Sequence, residues 1–244
     1  LLGPLLAGVT LAAFKRGGID DMTAYAVCFA LNAGSFLLVI VSLMSLHIKH
    51  LPAARTHNMM GELRQGLSYV RKERSIMALM VLGAATTFFG IPMMTLLPVF
   101  AKDVFGSGVE GYSALLAFSV AGAVAGSMVV AWLGRFPRMG LTTLLVQVLF
   151  GVMITLLALN RSLYLSYVLL FMSGLALMIV LSCITSLVQL IAPNDMRGRV
   201  MSIYLVAFRG GMPLGSLVSG YVASISSAPT VLTLNGIAML VVSA

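Results

Sequence analysis

The chain is short of acid. Seven Asp and Glu stand against fifteen Lys and Arg in 244 residues, charged residues of both signs make up 9%, and the formal net charge is +8. So few charges cannot solvate the surface of a water-soluble domain of this size. With 60% hydrophobic residues and a mean hydropathy of +1.06, lipid is the solvent instead. The two cysteines, Cys28 and Cys183, each lie inside an apolar run. Neither has the spacing of a metal site or redox pair, so both read as small packing residues. No phosphate-cradling Gly-Lys-Ser loop, HExxH zinc motif, aspartate-rich cluster or nucleophile elbow occurs, which removes the sequence signals for an ATP-driven machine or a membrane enzyme. No Asp or Glu lies within any apolar run either, so this chain offers no intramembrane carboxylate to carry a proton.

What the chain has is apolar runs. A membrane-spanning helix needs roughly 20 residues, and runs near or above that length fall at 22–47, 76–100, 111–134, 141–159, Leu163–Ile191 and 200–225. Shorter runs stand ahead of Lys15 and at 229–244. The expectation is an all-α membrane protein of eight transmembrane helices, truncated at both ends. The excess of basic residues does not point to nucleic acid, because they sit in short connections between apolar runs and form no continuous patch.

The one long hydrophilic stretch, 48–75, carries Lys49, Arg55, Arg64, Arg71, Lys72 and Arg74 against Glu62 and Glu73. Adding Arg135 and Arg138, then Arg197 and Arg199, gives ten basic residues in alternate connections. The remaining connections hold four: Lys15, Arg16, Lys102 and Arg161. Positive charge resists translocation, so the ten mark the cytoplasmic side. Within this linker Met60, Leu63, Leu67 and Val70 have helical spacing, which predicts an amphipathic interfacial helix over 59–74. His47, His50 and His57 at its start read as solvated groups.

The sequence also repeats. Leu2-Gly3-Pro4-Leu5-Leu6-Ala7-Gly8 returns as Leu214-Gly215-Ser216-Leu217-Val218-Ser219-Gly220, and Leu31-Asn32 as Leu234-Asn235, in the same order in successive helices. Such a copy implies a period of six helices and a complete chain of twelve. Two groups of six, a basic linker, the glycine-proline run in the first helix and Asp195-Met196-Arg197-Gly198-Arg199 before the penultimate one resemble the major facilitator superfamily. The nearest likeness is its bacterial exporter branch of enterobactin-exporter-like proteins and transmembrane secretion effectors. That resemblance implies helices 5 to 12 of the bundle. Residues 1–47 would end the N-terminal six, 48–75 would be a cytoplasmic linker, and 76–244 would be the C-terminal six. Gly3, Pro4 and Gly8 look like the end of the antiporter motif on helix 5. No acid stands between Gly126 and Arg135, where the family's gating loop often has Asp.

Polar residues inside the runs are the candidates for function. Arg209 lies about ten residues into its run, near mid-depth of a hydrocarbon core about 30 Å thick. A charge there costs about 2.5–3.5 kcal/mol, so it must face water or protein. It either attracts an anionic substrate, takes part in a conformational switch, or bolts the fold to a carboxylate or a helix C-terminus. Gly210, Gly211 and Pro213 loosen the same helix. Pro92 and Pro98 with Gly90 predict a distorted helix, on which Thr86, Thr87 and Thr95 either line a cavity or bond back to their own backbone. Ser182, Thr185, Ser186 and Gln189 fall on what the resemblance makes helix 10, a cavity-lining helix. Gly3, Pro4, Gly8, Asp195, Arg197, Arg199, Gly210, Gly211 and Pro213 are the switch candidates, with close helix packing as the plainer role for the glycines.

The resemblance implies a secondary carrier of the bacterial inner membrane, working by alternating access. It would export a small amphipathic molecule such as a drug or siderophore, with the site near the midplane between the two groups of helices. The partners expected are that small molecule, the lipid bilayer and a proton as coupling ion, without cofactor or metal. The alternative is a transport-inactive membrane sensor or assembly protein on the same scaffold.

Overall fold

Each long apolar run forms a helix, because a backbone with no water to bond must satisfy its N–H and C=O groups within the segment. The structure, a computed structural model, describes residues 20–45, 59–134 and 136–243, and its compact units are Leu1–Thr56 and His57–Ala244. In the first unit the described element is α1 (Asp21–Met44). Its serines bond to their own helix, Ser35 Oγ to Asn32 O at 2.6 Å and Ser42 Oγ to Leu38 O at 2.8 Å. A hydroxyl is satisfied this way in lipid without a neighbouring helix.

The second unit opens with the linker helix, α2 (Met59–Lys72). Glu62 in its first turn and Arg71 and Lys72 in its last complement the helix dipole. The span that follows, Arg74–Val104, is not one regular helix. α3 (Arg74–Ala85) widens into a π-helical turn at Thr86–Gly90, resumes as α4 (Pro92–Val99), and widens again at Phe100–Val104. For the first wide turn the sequence supplies the cause: Pro92 has no N–H for the Phe88 carbonyl four residues back. A wider turn moves the proline ring clear while the chain stays helical. Ile91 N–H reaches Thr87 O at only 3.4 Å, and Phe105 N–H closes the second wide turn on Phe100 O at 3.0 Å.

α5 (Gly108–Leu133), α6 (Met139–Leu159), α7 (Leu163–Ile191), α8 (Arg197–Ile225) and α9 (Ala228–Ser243) complete the unit. By length and composition six described segments are long and apolar enough to cross a membrane, with α9 a shorter apolar helix. Several begin two or three residues ahead of the runs read from sequence, because polar residues such as Arg74 and Arg197 still take helical conformation at the ends.

Small residues hold the bundle together. A Cβ on Gly122 would stand 1.9 Å from Phe171 O, and one on Gly174 would stand 2.1 Å from Ser119 O, so α5 and α7 meet backbone to backbone. α8 meets the first wide turn in the same manner. Cβ atoms on Gly211 and Gly215 would lie 2.3 Å from Thr87 Oγ1 and 2.1 Å from Phe88 O. Phe88 O is the carbonyl that Pro92 cannot serve, and only glycine lets α8 come so near it. Larger side chains fill two cores. One centres on Met93, Leu97, Phe100, Leu115, Phe150 and Ile154. The other ties α2, α3, α7 and α8 through Val70, Ile76, Val180, Ile184, Val200 and Tyr204. Leu145, Leu165 and the lone tryptophan, Trp132 near the end of α5, stay exposed, as a hydrocarbon solvent and its interface require.

Candidate functional site

Seven residues turn a helix by about 700°, close to two full turns, so Ser202, Arg209 and Ser216 share one face of α8. It is the outward face of the second unit. Arg209 is exposed, with Val206 and Leu217 at 74% and 70% beside it. Tyr204, Gly211, Gly215 and Ser219 are buried on the opposite face. Thr95 of α4 joins the outward face through a hydrogen bond of 3.0 Å between its hydroxyl and that of Ser216. Ser202 Oγ donates to Gly198 O at 2.9 Å. Arg209 follows Arg197, the first residue of the helix, by twelve positions, which places it about 18 Å along the axis.

Arg209 makes no hydrogen bond or ion pair among the described residues. No acid falls in the middle of a described helix. Asp20, Asp21, Glu62, Glu73, Asp103, Glu110 and Asp195 all lie at helix ends or in the connections between helices. Pro213 has no N–H for the Arg209 carbonyl four residues back, which removes that carbonyl's ordinary helical donor. A cation and a carbonyl short of its donor therefore stand together at mid-span. A bare charge in lipid costs about 2.5–3.5 kcal/mol, so the Arg209 guanidinium must meet water or a polar partner, although its exposed neighbours Val206 and Leu217 are apolar.

The Ser202–Arg209–Ser216 face of α8, with Thr95 beside it, forms a seam, and at its Arg197 end α2 forms a wall. A Cβ on Gly66 would stand 2.9 Å from Ile203 Cδ1 and 3.2 Å from Arg199 Cβ, so the linker helix lies directly on α8. Arg199 pairs with Glu62 at 3.4 Å and donates to Gln65 Oε1 at 3.3 Å. Val70 is buried in this contact, whereas Met60, Leu63 and Leu67 remain exposed. Met60, Glu62, Leu63, Arg199 and Ser202 line an open cleft of about 370 Å³.

The other sequence candidates divide. Thr86 and Thr87 are wholly buried. Thr86 Oγ1 bonds to Leu82 O at 2.6 Å, and Thr87 Oγ1 to Ala84 O at 3.0 Å, so both serve the interior of the bundle. Ser182 is half-buried, and Thr185 Oγ1 bonds to Leu181 O and to the Tyr204 hydroxyl at 2.7 and 3.0 Å. Ser186, Gln189 and Arg197 come together in a second pocket of about 380 Å³ bordered by Gly134 and Met139. Asp195 is exposed in the turn before α8, and Gly210 faces open space. Where loosening was expected from Gly211 and Pro213, α8 runs on as helix and Gly211 is a packing contact. Gly3, Pro4 and Gly8 lie outside the described residues, as do His47, His50 and His57.

Sequence reasoning passed over Gln147. Its side chain is fully buried, Oε1 accepts from Thr86 Oγ1 at 2.9 Å, and Nε2 approaches Met239 Sδ at 3.7 Å. Its signal was there: a single amide inside the apolar run 141–159 must find a partner. Asn235, equivalent to Asn32 in the repeat, donates to Ser219 Oγ at 3.1 Å and joins α9 to α8.

Lipid-facing helices joined by small residues, a proline-widened turn and a mid-depth cation define a polytopic α-helical membrane protein. The chain belongs to the transmembrane secretion effector family, MFS_3, which it matches over residues 1–244. It is 28% identical over 229 residues to the uncharacterized MFS-type transporter YuxJ of Bacillus subtilis (strain 168), a match that covers 92% of this chain and 56% of YuxJ. The chain thus spans about half the length of a curated relative that it matches. Membership places it among the MFS transporters.

Proposed function

We propose that the protein is a secondary active transporter working by alternating access, and that it exports a small amphipathic molecule from a bacterial cell. Arg209 carries this reading: a charge unpaired among the described residues in the middle of a spanning helix, where lipid alone cannot solvate it. The reading sets residues 48–75 in the cytoplasm and the protein in the inner membrane, by the distribution of Lys and Arg. Residues 76–244 form its C-terminal six-helix bundle. Thr95, Ser202, Arg209 and Ser216 line the substrate's route, and the pocket of Ser186, Gln189 and Arg197 lies on the same cytoplasmic side. The protein catalyses no covalent chemistry. If a proton drives it, the acid that carries the proton is outside this chain, since no Asp or Glu falls within an apolar run.

The test is flux. The protein carrying this chain, produced at full length and reconstituted in vesicles, should move the cationic dye ethidium or the anionic dye 8-anilinonaphthalene-1-sulfonate against its gradient. That movement should stop when the proton gradient is collapsed. Binding of either dye without movement would replace the carrier reading with a sensor. Topology is checked by thiol labelling of Arg64→Cys and Gly108→Cys in intact cells: reagent reaching both from one side overturns the arrangement.

A further inference from the structure

We propose that the substrate class is the amphipathic anion, and that the linker helix and α8 together form the cytoplasmic mouth through which its negative group travels to Arg209. The inference rests on the carrier reading and adds to it a charge, a route and a role for α2.

Three observations converge. Among the described residues the cation at mid-depth has no counter-charge, and the seven carboxylates of the chain sit at helix ends or between helices. A negative group arriving with the substrate supplies that charge, and the freed Arg209 carbonyl beside it accepts a donor from the same molecule. The cleft at the mouth matches the rest of such a molecule. Met60 and Leu63 give it an apolar wall, and its one cation, Arg199, is already paired with Glu62 at 3.4 Å, so it does not trap an anion before Arg209. Geometry then joins cleft to cation. Ser202 lines the cleft and lies seven residues from Arg209 on the same face, about 10 Å along the helix, and the Thr95–Ser216 hydroxyl pair lies another seven beyond. Arg64, Arg71, Lys72, Arg74, Arg138 and Arg197 fall in or beside the connections assigned to this side, and their charge favours anions there.

The test uses the full-length protein in lipid nanodiscs and two probes of nearly one shape, 8-anilinonaphthalene-1-sulfonate and its neutral analogue N-phenyl-1-naphthylamine. Equilibrium dialysis is read against empty nanodiscs. The sulfonate should bind about tenfold more tightly than the neutral amine, and Arg209→Gln should abolish that preference while leaving the amine within about twofold. Arg209→Lys, which keeps the charge, should retain most of the preference. Leu63→Ser, which leaves Arg209 untouched, should weaken both probes alike and keeps the test open if Arg209→Gln does not fold. Equal affinities in the unaltered protein, or sulfonate binding indifferent to Arg209→Gln, overturns the proposal; the second result assigns Arg209 to a carboxylate elsewhere in the full-length protein. The two readings fail separately. Ethidium export with no Arg209-dependent sulfonate binding removes the anion route and leaves the carrier. Arg209-dependent binding with no movement of either dye removes the carrier and leaves the anion site.

Discussion

Gln147 and Arg209 are both polar side chains in spanning helices, and the bundle treats them in opposite ways. Gln147 is sealed inside, accepting a hydrogen bond from Thr86 in the first wide turn and touching Met239 of α9. Arg209 is turned outward with no bond among the described residues. A polar group that is satisfied within its own bundle belongs to the fold. One that the described bundle leaves unsatisfied at mid-depth is, on the reading proposed above, held for something that comes and goes. Two faces of α8 repeat the contrast: Gly211 and Gly215 press against the wide turn, and Ser202, Arg209 and Ser216 face away from it.

The contrast breaks first, and most heavily, on the packed face. Gly215→Leu drives a side chain into Phe88 O, a backbone atom that cannot move aside, where a Cβ already stands at 2.1 Å. The expected cost is about 3 kcal/mol, seen as loss of monodisperse protein in size-exclusion chromatography. Normal yield would mean that α8 is not seated on the wide turn. Arg209→Ala comes next and acts on the other face. Flux should fall roughly a hundredfold, the loss of a charge-assisted contact of about 3 kcal/mol, while Tm and yield stay close to those of the unaltered protein. Equal loss of flux and yield would make Arg209 a second Gln147. For Gln147→Leu itself, which keeps the volume and removes the amide, thermal unfolding should register about 1 kcal/mol, with substrate affinity unchanged. The Thr86 hydroxyl keeps its bond to Leu82 O and is not stranded by the change.

Much of this architecture is legible without coordinates, for a physical reason. In lipid, an apolar run with no interior charge has helix as its available form, so the number and extent of the spans follow from composition. Arg209 is legible on the same ground, because depth alone prices a charge. Facing is what the sequence hides. Helices apolar all round carry no stripe to say which side is inside, so Thr86 and Thr87 looked as suited to a cavity as Thr95 did. It took the wide turn to bury the first two and leave the third at the seam. Gly211 was hidden likewise: a glycine that loosens a helix and one that admits a neighbouring backbone read the same until the neighbour is known. The linker helix shows both sides of the problem. Its periodicity gives Met60, Leu63, Leu67 and Val70 as one stripe, yet the contact with α8 runs through Glu62, Gly66 and Val70 and leaves the other three uncovered.

That contact yields the smallest predicted effect. Glu62 and Arg199 are 36% and 28% exposed, so water screens their attraction, and an exposed pair contributes about 0.2–1 kcal/mol. Arg199 also keeps its bonds to Gln65 and to Met196 Sδ at 3.3 Å each when the carboxylate is neutralised. Glu62→Gln should therefore shift thermal unfolding by no more than about 0.5 kcal/mol, and the shift should vanish at about 1 M salt, where the screening length is near 3 Å. Its more telling consequence concerns charge at the mouth. With Glu62 neutral, Arg199 becomes a second cation on the way to Arg209, and an amphipathic anion should bind more tightly yet move more slowly. If affinity and flux instead stay unchanged together, α2 is a bystander that α8 merely tolerates, and the seam begins at Arg209 rather than at the linker.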